Sequence, residues 1–80
     1  MTPANQQKFK NDLSALQSGI PAAVALFNKD FGYLFQSESV KSLPGYGGAR
    51  NSFQAKRYTD QAFTGFFKSN LANLPDPGAQ

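Results

Sequence analysis

The 80-residue chain has no cysteine and no histidine. Without cysteine there is no disulfide and no thiolate nucleophile; without either residue there is no ordinary zinc site, and the commonest general base is missing. Acidic groups are few and scattered. Asp12, Asp30, Glu38, Asp60 and Asp76 stand singly, and no calcium-loop pattern surrounds any of them. No serine lies in an S-x-x-K or G-x-S-x-G arrangement. Catalysis is therefore not expected, nor is a metal, a cofactor or a small-molecule substrate. No window approaches 18 uninterrupted apolar residues, so no membrane span is expected. Residues Met1 to Gln7 are polar and lack the basic-then-apolar order of a secretory signal, which makes a cytoplasmic location the default expectation.

These absences raise the question of what holds so short a chain together. A domain of this size buries about 60% of its unfolded surface, and its core commonly supplies only roughly 3–5 kcal/mol. Eight phenylalanines and three tyrosines are generous for the length and are the natural core material. Some of that aromatic surface is expected to be shared with another chain.

Hydrophobic periodicity predicts an all-α domain of three helices, at about 3–18, 21–36 and 52–73, with a Gly-rich loop before a long C-terminal helix. Thr2 followed by Pro3 reads as a cap and first position. Phe9, Leu13, Leu16 and Ile20 then make an amphipathic stripe, and Lys8 with Asp12 makes an i,i+4 surface pair. Gly19 with Pro21 reads as stop and restart. The second segment is apolar on most sides, with Val24, Phe27, Phe31 and Leu34 on one face. Phe31 to Phe35 also fits a short strand; helix is preferred because no second alternating strand is present. Residues 37–48 read as a connector ending in Gly45-Tyr46-Gly47-Gly48, and Asn51 with Gln54 resembles a capping box. Residues 1–74 are expected to form a single domain and residues 75–80 a flexible tail.

Two motifs fail on inspection. The glycine loop lacks a Walker lysine and the third glycine of a dinucleotide fingerprint, so it reads as a turn. A helix-turn-helix around Gly19 would present Ala22 to Phe27 as its recognition helix, which has almost no side chain able to read a base edge.

The third segment holds the functional hint. Arg50, Gln54, Arg57, Gln61, Thr64 and Lys68 recur at steps of three and four, a polar stripe whose charges are all positive. Lys41, Arg50, Lys56, Arg57 and Lys68 face only Asp60, which concentrates most of the net charge of +3 here. Phe53, Phe63, Phe66, Phe67 and Leu71 form an arc better suited to core packing than to base stacking. Beside Tyr58, the small residues Ala62, Gly65, Ser69 and Ala72 would let another helix approach closely, the second helix of the same chain or a second copy.

The expectation is a non-catalytic interaction or regulatory protein, a regulator or inhibitor, that binds an acidic protein surface through Arg50, Arg57, Tyr58, Gln61, Gly65 and Lys68 and forms a homodimer. One alternative is a nucleic-acid binder using the same stripe on phosphates, though two arginines and three lysines are few for that task. The other is a structural subunit of a larger assembly. Exposed charge on a helix is by default merely solvated.

Overall fold

The computed structural model describes residues 1–78; Ala79 and Gln80, the end of the expected tail, lie outside the described residues. Thr2 opens the first helix as its sequence suggests. Its Oγ1 accepts the Asn5 N–H at 3.3 Å, and Pro3 begins α1, Pro3–Gln17. The helix ends on Gly19, whose φ of 73° places it in the left-handed region. The Ile20 N–H reaches back to the Ala15 carbonyl and the Gly19 N–H to that of Leu16, which closes a Schellman turn. Ile20 therefore leaves the stripe and is exposed, contrary to its expected place in the core.

Helix α2, Ala23–Phe31, begins two residues after Pro21 and is followed by a 3₁₀ turn at Gly32–Phe35. The segment that also fitted a strand is thus helical, and no strand occurs among the described residues. The expected connector holds a one-turn helix, α3 (Glu38–Lys41), anchored by fully buried Val40.

The all-α class holds, but the count of three helices does not, because the long third helix is two. Helix α4 spans Tyr46–Gln54 and α5 spans Gln61–Asn70, continuing as a 3₁₀ turn at Leu71–Asn73. Helix α4 starts within the glycine segment, six residues before the expected start at Ser52. Gly45, at φ 87°, turns the chain into it against the ring of Phe66.

The break falls at Lys56, which adopts φ 59° with no glycine to permit it. Arg57 N–H bonds to the Ser52 carbonyl at 2.8 Å and Lys56 N–H to that of Phe53 at 3.1 Å, a second Schellman turn. A left-handed non-glycine costs about 1–2 kcal/mol. Folding back offsets it. A continuous helix over 52–73 would be about 33 Å long, more than the 28 Å longest extent of the molecule. The reversal instead stacks Phe53 on Phe63, ring centroids 5.8 Å apart and 14° from parallel.

All eight phenylalanines join one network of ring contacts. Phe27 is its hub, fully buried and within 5.6–6.2 Å of Phe9, Phe31, Phe53, Phe63 and Phe67. Tyr33 and Tyr46 sit at the margin, half-buried, and donate their hydroxyls to the carbonyls of Pro75 (2.7 Å) and Phe35 (3.0 Å).

The segment expected as a flexible tail makes contacts at its start. Besides the bond from Tyr33 to Pro75, the Asp76 carboxylate accepts from Asn5 Nδ2 at 2.9 Å and from the Thr2 N–H at 2.8 Å. Those two bonds hold its carboxyl below the usual range.

Phe27→Ala is expected to cost about 3–5 kcal/mol, as much as a core of this size commonly supplies. Circular-dichroism urea titration should then show no cooperative transition at 25 °C. A transition within about 1 kcal/mol of the parent's would remove Phe27 from the centre of the fold.

Candidate functional site

The reversal at residues 55–60 dissolves the continuous polar stripe. Arg50 lies exposed on α4, Arg57 and Tyr58 lie in the turn, and Gln61, Gly65 and Lys68 lie on α5. The two ion pairs among the described residues are Lys8–Asp30 and Lys41–Glu38, so Arg50, Arg57 and Lys68 belong to neither. Tyr58 is half-buried, its ring 5.6 Å from Phe53 and 5.9 Å from Phe63.

The α5 residues divide between two depressions. By helical spacing Gln61, Gly65 and Lys68 form the crest of α5, and a hollow opens on either side of it. On one side, against α1, a groove of about 260 Å³ is floored by Phe9, Leu13, Phe67 and Leu71 and flanked by Lys10 and Lys68. Each lysine directly follows a floor phenylalanine in the chain, so the two cations rise from opposite walls. Gln17, also lining this groove, donates Nε2–H to the Tyr58 carbonyl at 3.2 Å and ties α1 to the α4–α5 turn. An apolar floor between two cations suits an apolar ligand surface bearing negative charge.

On the other side, Gln61 and Gly65 line a broader hollow of about 650 Å³ with Gly45, Gly48, Ala62 and Ser69. The expected close helix approach occurs here, but with α4 rather than the second helix. A Cβ built on Gly48 would lie 3.5 Å from that of Ala62. At Gly65 no other element among the described residues intrudes: a Cβ there would meet the Gln61 Cγ of the same helix, at 3.5 Å. Ala72, expected on the same small-residue edge, lies beyond α5 in the 3₁₀ turn.

The fold also joins two acids that the sequence shows standing singly. Asp12 is only 6% exposed, on the α1 face that packs toward Asp30 of α2. The expected surface pair of Lys8 with Asp12 is replaced: Lys8 Nζ lies 3.5 Å from Asp30 Oδ1. Among the described residues, Oδ2 of Asp12 and Oδ2 of Asp30 are buried without a hydrogen-bond partner. Burial first, and then the neighbouring Asp30, push the Asp12 carboxyl up to about 6, against the opposing pull of Lys8. The signal was present in the sequence, since Asp12 adjoins Leu13 and lies four residues before Leu16 on the apolar flank of α1. Among the described residues, no group of three or more acidic side chains is placed to hold a metal ion, and no helix is long and apolar enough to cross a membrane.

The open face at Gly65 has a measurable consequence. Gly65→Ala should stabilise the protein by about 0.5–1 kcal/mol, the helix-propensity difference, read as an increased urea midpoint. A loss of stability would mean that a second chain packs against this face in solution.

A scan against protein-family models, a search of curated proteins and a search of solved structures found no match to this chain.

Proposed function

We propose that the protein is a small non-catalytic interaction module that binds an acidic, partly apolar segment of a partner protein along the α1–α5 groove, and regulates or inhibits that partner by occupying the segment. One observation carries this reading. The groove has a floor of four apolar side chains bracketed by Lys10 and Lys68, neither of which is engaged in an ion pair among the described residues. Burying one apolar side chain of a partner on such a floor is worth about 1.5–3 kcal/mol. The lysines add sign selectivity and a faster encounter more than affinity.

The role expected of the third segment thus moves from a continuous stripe to one groove. Lys68 lines it, and Tyr58 is tied to it only by its backbone carbonyl, which accepts from Gln17 of the groove wall. Arg50, Arg57, Gln61 and Gly65 lie elsewhere on α4, the turn and the α5 crest. Two features favour a protein partner over nucleic acid. The basic residues Arg50, Lys56, Arg57 and Lys68 are spread over two helices and a turn, and Phe63, Phe66 and Phe67 are buried, so they offer no exposed ring to a base.

The test uses two labelled helical peptides with the same leucines at i, i+3 and i+7, one flanked by glutamates and the other by lysines. Fluorescence anisotropy should show the glutamate peptide binding at least about ten-fold more tightly, a difference of ~1.4 kcal/mol. Lys10→Glu with Lys68→Glu should reverse the preference, and Leu71→Asp should weaken both peptides. Equal affinities, or a preference that survives both lysine changes, would refute the groove as the binding site. Binding of single-stranded DNA that falls steeply with log salt would put the nucleic-acid reading in its place. Concentration-dependent association in sedimentation would favour the structural-subunit reading.

A further inference from the structure

We propose that Asp12 and Asp30 form a proton-operated latch between α1 and α2: one proton shared by the two carboxyl groups holds the helices closed, and its departure loosens α2. The geometry comes from three facts. The two side chains lie within hydrogen-bonding reach across the helix pair. Each has one buried oxygen, Oδ2, with no donor to satisfy it. An ionised carboxylate can only accept, so two ionised groups leave both oxygens orphaned, whereas a single proton makes one group a donor to the other.

The charged groups facing Asp12 are Asp30 from α2 and Lys8 from its own helix. Lys8 serves the outer oxygen of Asp30 at 3.5 Å with its own side chain 57% exposed, so it does not neutralise the inner pair. Asp30 adjoins Phe31 and lies three residues after Phe27, both buried core residues. A repulsion at Asp30 therefore acts directly on the segment that carries the hub of the aromatic cluster.

The sign of the pH dependence follows from the upward shift of Asp12. Its stabilising contribution is fully present below the ordinary carboxylate value of 3.8 and is lost as pH rises through about 6. Asp76 acts the other way: its lowered pKa gives stability that is present above the ordinary carboxylate range and lost only as pH falls below it. Tyr33, pushed up to about 12 by burial and then by Asp76, titrates far above the window. Between pH 4.5 and 8 the carboxyl pair stands clear of both.

The experiment is urea denaturation of the whole chain across that range, with carboxyl-carbon NMR titration of the same protein. The folding constant of the parent should fall by roughly 30-fold as pH rises from 4.5 to above 6, then level off. Asp12→Asn, which keeps a donor but cannot ionise, should abolish the slope and be more stable than the parent at pH 8. In the parent, one of the two aspartates should titrate above pH 5. Hydrogen exchange corrected for intrinsic rates should show protection lost first in α2 above pH 6.5, and retained there in Asp12→Asn. A parent midpoint that is flat or rises with pH would overturn the latch, as would both carboxyls titrating near 3.9. Protection lost equally in α2, α4 and α5 would also overturn it, because the pair would then act on the whole fold.

Discussion

The burial of Phe27 among five other phenylalanine rings is the constraint on which the other elements depend. The chain has no disulfide to restrict its unfolded state, so cohesion falls to apolar area and ring geometry. Edge-to-face contacts such as Phe9–Phe31 at 5.0 Å and Phe63–Phe67 at 5.0 Å add about 0.5–1.5 kcal/mol each beyond the area they bury. The rings come from α1, α2, the 3₁₀ turn after it, α4 and α5, so almost every element is tied to the cluster through at least one of them. The path of the backbone follows from that requirement. The left-handed Lys56 and the glycines within α4 are unfavourable locally, yet they bring Phe53 over Phe63 and let α4 approach α5 at Gly48.

The same cluster shapes the α1–α5 groove. Phe9 and Phe67 meet with centroids 5.1 Å apart, so they set the depth at which the two helices touch. Lys10 and Lys68 each follow one of these rings by about 100° of helical turn, enough to lift them out of the contact and onto its rim. An apolar floor with a cationic edge is thus the geometric result of an F–K dipeptide on each of two packed helices. Its halves lie 58 residues apart (68 − 10), so no local pattern reveals it.

What could be read in the sequence was local or periodic. The Thr2–Pro3 start, the Gly19 stop, the helical class and the inward arc of Phe63, Phe66 and Phe67 all depend on neighbours within a turn or two. The features missed needed tertiary information. Ala55 to Tyr58 contains good helix formers and no glycine, so only the gain from packing two shorter helices reveals the break at Lys56. Helix α3 rests on one buried valine in a stretch otherwise rich in turn residues. At Asp12 two local signals compete: the i,i+4 spacing to Lys8 fits a surface pair, while Leu13 and Leu16 mark the same flank as apolar, and only the packing of a second element decides between them. In the structure α2 covers it, and Lys8 turns to Asp30 instead.

Buried carboxylates are the least expected feature of a domain this small. Removing a carboxyl group from water is unfavourable unless it is paired with a donor or a cation, and Asp12 has neither for its inner oxygen. An asparagine there would satisfy Asp30 without charge, and an apolar residue would extend the cluster formed by Phe9 and Leu13. Real folds break the rule against unpaired buried charge at one or two functional or strained places. Because Asp30 stands beside Phe31, within one turn of Phe27, a change of one proton acts on the hub that organises the other helices. The link between the carboxyl pair and the aromatic core is therefore one of position: the most polar buried contact lies next to the most apolar one, on the same short helix.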